Sequence, residues 1–279
     1  MNGLINWAAL ERRYRKMPFA NLGEEAQKKQ WDGFADMYDG MAKLEKEFTR
    51  NQVDQMRLSA EDSVVDIGCG PGRLSVPVAK KVKSVTAVDV SDEMLARCLK
   101  NARHEGIENI TPLNFNWLAE DAVEKIGKHD IAIASRSVGF SDLVKINHVA
   151  RKYVYILGWA NAPSLREIQL DFLAGIAPEK TPYDPLARMF GYNMMFNMVY
   201  DMGANPNIVI VDDGFERDYV SREQAYEDLR FVGDIPPEYE EQYRRNVDRY
   251  LTPKRDGGFK LLRKTKTFVM WWRSDEVNR

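Results

Sequence analysis

The chain has 279 residues, 44% of them hydrophobic, which is enough to fill a sizeable interior and excludes a disordered or fibrous protein. Lys and Arg number 40 against 42 Asp and Glu, so the net charge of -2 gives no global attraction to nucleic acid or an anionic membrane, and any such partner needs a local patch. Two cysteines and three histidines exclude a disulfide framework, a multi-thiolate metal centre and a His-rich zinc site, and they fit a reducing intracellular home.

The opening MNGLINWAALERRYRK has no basic segment ahead of an apolar run, and no stretch of about 18 apolar residues occurs anywhere, so a soluble, cytoplasmic chain is expected. Residues 1–60 read as helical, with Trp31, Phe34, Ala35 and Tyr38 at i, i+3, i+4 and i+7, and show no strand pattern. Short apolar runs then recur at intervals of 21 to 25 residues: SVVDI from Ser63, SVTAVDV from Ser84, NITPLNF from Asn109, DIAIAS from Asp130 and YVYILGW from Tyr153. They are continuously apolar and β-branched, as parallel strands buried on both faces are. Helical patterns fill the gaps. The clearest runs from Ser91 to Glu105, with Met94, Leu95, Cys98, Leu99 and Ala102 on one stripe. This alternation predicts a doubly wound α/β sheet. Pro77 is compatible with it if the helix after the first strand starts near Arg73 or Leu74.

Beyond Trp159 the rhythm changes. A helical stretch from Ser164 to Ala174 precedes the Met- and aromatic-rich segment from Tyr183, then a strand NIVIVDD, charged helical segments from Ser221 and from Pro237, and a last strand TKTFVMWWR from Thr265. No repeat or flexible linker interrupts the chain, which reads as one domain: a helical cap over 1–60, a ligand-binding core over 61–160, a helical substrate lid over 161–206, and strands and helices completing the sheet over 207–279.

The chemistry concentrates in VVDIGCGPGR. Gly68, Gly70 and Gly72 permit positive φ and let a ligand lie on bare backbone at the carboxyl end of a strand, where ligands of open α/β sheets bind. A dinucleotide site usually carries G-x-G-x-x-G, and here the spacing is one residue shorter. Asp66 just before the turn would repel a pyrophosphate and attract a cation, by on the order of 4 kcal/mol at ~4 Å and an effective dielectric near 20. Asp89, 19 residues beyond Gly70, suits a pair of ribose hydroxyls. Together these acids ask for a nucleoside with a cationic tail, such as S-adenosylmethionine.

VVDIGCGPGR followed by VTAVDVSDEML closely resembles the first two motifs of class I S-adenosylmethionine-dependent methyltransferases. The resemblance implies a Rossmann-like seven-stranded sheet with an antiparallel last strand, a methyl transfer leaving S-adenosylhomocysteine, and no metal. It places Asp66, Gly68, Cys69, Gly70 and Gly72 along the methionine portion, Asp89 on the ribose, and Val90 and Met94 beside the adenine. The third motif departs from the pattern: NFNWLAED offers Asn116 and Trp117 where an acid often accepts the adenine amino group. Ser135 and Arg136, after the fourth strand, face the cleft, and Arg136 suits a carboxylate or phosphate on the acceptor. His104, His129 and His148 lie where none serves as a base. Trp31, Tyr38 and Trp159 are placed at the mouth of the substrate pocket, with the methionines Met189, Met194, Met195, Met198 and Met202 lining it or else forming a core helix or a homodimer interface. Transfer is expected to rest on proximity and desolvation, with a small, largely apolar acceptor. Seven basic residues from Arg249 to Lys266 leave RNA open as an acceptor, and a protein acceptor stays open as well. The motifs are also compatible with a nicotinamide-dependent oxidoreductase or with a non-catalytic cofactor-binding protein.

Overall fold

The computed structural model describes residues 5–14, 22–160, 162–176 and 191–277. Four helices come first: α1 (Trp7–Tyr14), α2 (Glu24–Gly33), α3 (Ala35–Leu44) and α4 (Lys46–Val53). The alternating part follows as β1 (Ser63–Ile67), α5 (Ser75–Ala79), β2 (Ser84–Asp89), α6 (Asp92–His104), β3 (Ile110–Asn114), α7 (Ala122–Ile126), β4 (His129–Ser135), α8 (Leu143–His148) and β5 (Ala150–Trp159). The remainder comprises α9 (Leu165–Phe172), α10 (Tyr192–Asp201), β6 (Asn207–Tyr219), α11 (Arg222–Asp228), α12 (Glu240–Asp248), β7 (Leu251–Pro253) and β8 (Phe259–Arg273). Among the described residues no helix is long and apolar enough to cross a membrane.

The strands lie in the order β3-β2-β1-β4-β5-β8-β6, with β1 to β5 parallel and β8 antiparallel to both neighbours. The doubly wound sheet with an antiparallel last strand is therefore present. It has eight strands instead of seven, because the short β7 pairs with the outer end of β8.

Neighbouring residues of each inner strand serve opposite faces. Val64, Ile131, Ile133, Tyr155 and Leu157 pack against α4, α5 and α6, whereas Val65, Ile67, Ala132, Ala134, Val154 and Ile156 pack against α7, α8 and α10. Each such side chain gains about 1.5–3 kcal/mol on burial, which is why both faces must be apolar. Helix α6 follows its expected stripe, with Met94, Leu95, Cys98 and Ala102 buried, Ser91 capping its start by accepting from Met94 N, and Asp92 and Glu93 in the first turn. Pro77 is the third residue of α5, where an amide N–H has no intrahelical partner to lose.

The outer strands depart from expectation. β6 continues past Asp213 to Tyr219 and β8 begins at Phe259, well before Thr265, so the two form one long ribbon from Asn207↔Trp271 to Tyr219↔Phe259. β5 pairs with β8 only as far as Thr267, so the rest of the ribbon overhangs the carboxyl ends of the inner strands. Its apolar face (Phe215, Tyr219, Leu261) gathers a third core with Leu165 and Phe172 of α9, Tyr226 of α11, Tyr243 of α12 and Leu44 of α3. Gly214 is where the ribbon needs glycine: φ is +150°, and a Cβ there would lie 1.9 Å from the Arg263 carbonyl oxygen. Of the segment expected to form a helical lid, α9 belongs to this cap together with α3 and the outer halves of two strands, whereas α10 packs against the sheet core. Of the Met-rich segment, Met189 lies outside the described residues; Met194 and Met195 are buried in α10, and Met198 and Met202 pack against the sheet core.

Candidate cofactor and active site

Gly68, Gly70 and Gly72 have φ of +71°, +54° and +85°, the left-handed region that favours glycine. The space beside each differs. A Cβ on Gly68 would meet Ser137 Cβ at 2.5 Å and one on Gly72 would meet Cys98 Sγ at 2.7 Å, but one on Gly70 would meet nothing nearer than Met94 Sδ at 4.0 Å. Gly68 and Gly72 are bare so that the protein can pack on them, and Gly70 is the position facing open space. Gly68 N and Cys69 N both donate to Val88 O, at 2.8 and 3.0 Å, fastening the turn to β2. The Cys69 side chain is buried beneath it, and its contact with Cys98, together with burial, pushes the thiol well up.

The two acids have different surroundings. Asp89, half-buried at the end of β2, accepts from Gly70 N at 2.9 Å and from Ser91 N at 3.0 Å, so both oxygens are held in place beside the open side of the turn. Burial pushes its carboxyl up, opposed by the backbone N–H groups of Ser91, Gly70 and Val90. Asp66 is only 2% exposed and accepts from Ser75 Oγ at 2.7 Å, so it faces α5 and not the space beside Gly70. Burial lifts it to about 6, against the lowering effects of the Ser75 hydroxyl and Arg73. Its Oδ2 is committed to Ser75, and its charge lies beneath the glycine turn.

Past Asp89 a cavity of about 220 Å³ opens, lined by Val90, Asn114, Phe115, Asn116 and Ala119 and, across from them, by Glu24, Glu25 and Lys28 of α2. Val90 and Asn116, both expected beside the adenine, line this one cavity, and Met94 stands by the turn. Trp117 does not join them. It is 2% exposed in the core below, with the Lys145 ammonium 4.9 Å from its ring centroid and donating to its carbonyl oxygen at 2.7 Å. The reason is local: Leu118 N donates to Asn116 Oδ1 at 2.9 Å, and the turn this makes sends the indole inward.

On the other side of the turn lies a buried charge network. Arg73 Nη1 donates to Gln52 Oε1 at 2.8 Å and sits 3.5 Å from Glu45, and its Nη2 donates to Ser135 Oγ. Arg136, with φ +51°, donates to Glu45 Oε2 at 2.8 Å, to Thr267 Oγ1 at 2.9 Å and to Asp213. Glu45 and Asp213 are 2% and 0% exposed. The guanidinium of Arg136 lies 5.1 Å from the Trp159 ring centroid. This corrects the reading of Arg136 as an anion hook for the acceptor: its charge is already matched by two acids, and it keys β4 to the helices and to the ribbon. Ser135 is likewise committed to Arg73. Trp31 packs edge-on against Tyr38 at 6.1 Å, where α2 meets α3, a pairing separate from that of Arg136 and Trp159.

Strand order, the glycine turn and Asp89 together form a Rossmann-like α/β core with its open turn at the carboxyl end of β1. Residues 64–153 match the family model described as a methyltransferase domain. An uncharacterized protein of Haemophilus influenzae is 24% identical over 88% of this chain and 90% of its own length. Over shorter stretches the chain is 32% identical to a 23S rRNA (uracil(1939)-C(5))-methyltransferase of Aliivibrio fischeri, covering 30% of this chain and 19% of that protein. It is also 32% identical to a probable cobalt-precorrin-6B C(15)-methyltransferase of Methanococcus maripaludis, covering 34% of this chain and 51% of that protein. Over residues 64–153 the chain carries a methyltransferase domain, which agrees with the class I S-adenosylmethionine-dependent motifs read from VVDIGCGPGR and VTAVDVSDEML and with S-adenosylmethionine as the cofactor.

The residues fit that group. Gly70 leaves room for a ligand against backbone, the fixed Asp89 carboxylate is an acceptor for ribose hydroxyls, and the adjoining cavity joins apolar Val90 and Phe115 to polar groups at its rim. Sequence reasoning misses Glu45, Gln52, Arg73 and Asp213, as well as the three α2 residues of the cavity. Arg73 closes the glycine motif and is the one visible signal; the others belong to segments with no local pattern of their own.

Proposed function

We propose that the methyl group goes to a small-molecule acceptor held between the ends of β4 and β5 and the overhanging cap. The observation that carries this reading is the state of the basic ribbon. Lys254 pairs with Asp218 at 2.8 Å, Arg263 with Asp171 at 2.7 Å, and Lys260 and Lys266 pair with Glu216 and Asp212. Phosphate backbones are bound by cations free to release counterions, and here four of the seven are neutralised within the protein.

The cofactor supplies an electrophilic methyl on a sulfonium. The chain's share is to hold, orient and dry the site. Gly70 and Asp89 fix the nucleoside, and the Arg73 contacts to Gln52 and Ser135 tie the turn to α4 and β4. The hydroxyl of Ser137 donates to the Ile67 carbonyl, so it is committed to the backbone of β1. His129 starts β4 at the opposite rim, and His104 and His148 end α6 and α8. Alignment of the two reactants, worth up to about 7–11 kcal/mol, is then the main source of rate.

The test is to incubate the enzyme with methyl-labelled cofactor and, separately, an ultrafiltered metabolite fraction, total RNA and total protein. Label entering the metabolite fraction is expected. Label confined to RNA or protein overturns the reading.

A further inference from the structure

Helix α2 precedes the sheet by a long stretch of chain, yet it sits over the nucleoside cavity. Two contacts hold it there. Lys28 Nζ bonds Asp92 at 2.5 Å, and Asp32 accepts from the Ser91 hydroxyl and from Glu93 N at 3.3 Å, so α2 straddles the first turn of α6. Its own first turn then brings Glu24 and Glu25 to the cavity, opposite Asn116.

The side-chain acceptors on the strand side of that cavity are amide oxygens and not carboxylates. Asn114 Nδ2 donates to Val90 O at 3.1 Å and to Asp92 at 2.8 Å, and Asn116 Oδ1 already accepts from Leu118 N. An exocyclic amine needs an acceptor, and an ionised carboxylate makes a stronger hydrogen bond than a neutral amide. The strand side offers no carboxylate to the cavity; α2 offers two.

Resting on the cofactor assignment, we propose that α2 closes the base end of the nucleoside site and that the carboxylates of Glu24 and Glu25 accept the exocyclic amine of the adenine. The amino-terminal helices thereby serve cofactor selection. Val90 and Phe115 give the ring its apolar flanks, and Asn116 lines the strand side of the cavity.

The test measures calorimetric Kd values for S-adenosylhomocysteine and for S-inosylhomocysteine, which carries a carbonyl oxygen in place of the amine. Unaltered protein should prefer the amine by about tenfold or more, the worth of a good charge-assisted hydrogen bond. Glu24→Ala/Glu25→Ala should reduce that preference to about twofold or less, Glu24→Gln/Glu25→Gln should recover part of it through the amide oxygens, and Asn116→Ala should leave it in place. Both glutamates are exposed, so the variants should melt as the parent does. Amine preference persisting in the double alanine variant, or lost in Asn116→Ala alone, overturns the proposal. Failure of the unaltered protein to bind either nucleoside would instead overturn the cofactor assignment.

Discussion

The inner sheet and the overhanging cap are stabilised by different arrangements of the same apolar residues. In β1, β4 and β5 both faces are buried, and the strands appear in the sequence as unbroken runs. In the outer ribbon one face packs and the other meets solvent: Phe215 and Leu261 are fully buried, while Leu262 is 37% exposed. The two regions divide the labour. The inner sheet carries the glycine turn, Asp66 and Asp89; the ribbon carries a separate core that overhangs the rim. The two are joined at their boundary by Arg136, bound at once to Glu45 and Asp213.

The largest effect should come from breaking that joint. Arg136→Ala leaves Asp213 as an uncompensated buried charge and Glu45 with Arg73 alone, and urea unfolding should show a loss of about 3–5 kcal/mol. Arg136→Lys should recover little, because an ammonium cannot serve both acids and Thr267 with a rigid fork. A loss within about 1 kcal/mol would mean that the cap is keyed to the sheet elsewhere.

A cavity in each core tests whether the two regions are independent. Leu261→Ala in the cap and Ile133→Ala in the sheet should each cost about 2–5 kcal/mol. Hydrogen exchange should separate them, since regions open as local cooperative units. The cap variant should expose α9, α11 and α12 while S-adenosylhomocysteine affinity stays within about twofold, and the sheet variant should weaken that affinity along with the fold. If the cap variant loses the cofactor equally, the two regions form one cooperative unit.

The same contrast decides which elements are legible in the sequence. β1, β2, β4, β5 and α6 are legible because burial on both faces, or on one helical stripe, leaves a dense local pattern, whereas β3 is a largely exposed edge strand read from its place in the alternation. The ribbon's outer half is not, since GFERDY and FKLLRK mix apolar and charged residues without strict alternation and look like surface until their partner strand is known. In the site, the glycines and Asp89 are legible because the turn geometry restricts which residues can stand there. Arg136 invites a misreading because its partners Glu45 and Asp213 are distant in sequence, and no local pattern announces a buried ion pair. Trp117 is open to two readings, and the Asn116 turn decides for the core.

Within the inner sheet, Asp89→Ala should weaken S-adenosylhomocysteine by more than about tenfold, roughly 1.4 kcal/mol, by calorimetry. It removes the ribose acceptor together with the bond that shapes Gly70. An unchanged Kd would mean the ribose is held elsewhere.

The smallest effect concerns the field of Asp66, buried beneath the glycine turn. S-adenosylmethionine carries a sulfonium charge that S-adenosylhomocysteine lacks, and the rest of the molecule is shared, so the ratio of their affinities isolates that charge. The Asp66 carboxyl sits at about 6, raised by burial. Above that pH it is ionised and favours the sulfonium; as pH falls through about 6 it takes up a proton and the preference fades. The sign for stability is the opposite of the usual carboxylate case: the folded value lies above the unfolded one, so ionising Asp66 opposes folding, and its contribution to stability declines as pH rises from about 4 to 6. The affinity ratio should therefore drop between pH 7.5 and pH 5.5 by roughly two- to fivefold, about 0.5–1 kcal/mol for a charge acting across a partly screened gap. Asp66→Asn, which can still accept from Ser75, should bind both nucleosides with a ratio that is flat over this range. A pH-dependent ratio that survives in the variant would move the titrating group elsewhere, with Asp89, itself raised by burial beside Gly70, the next to test.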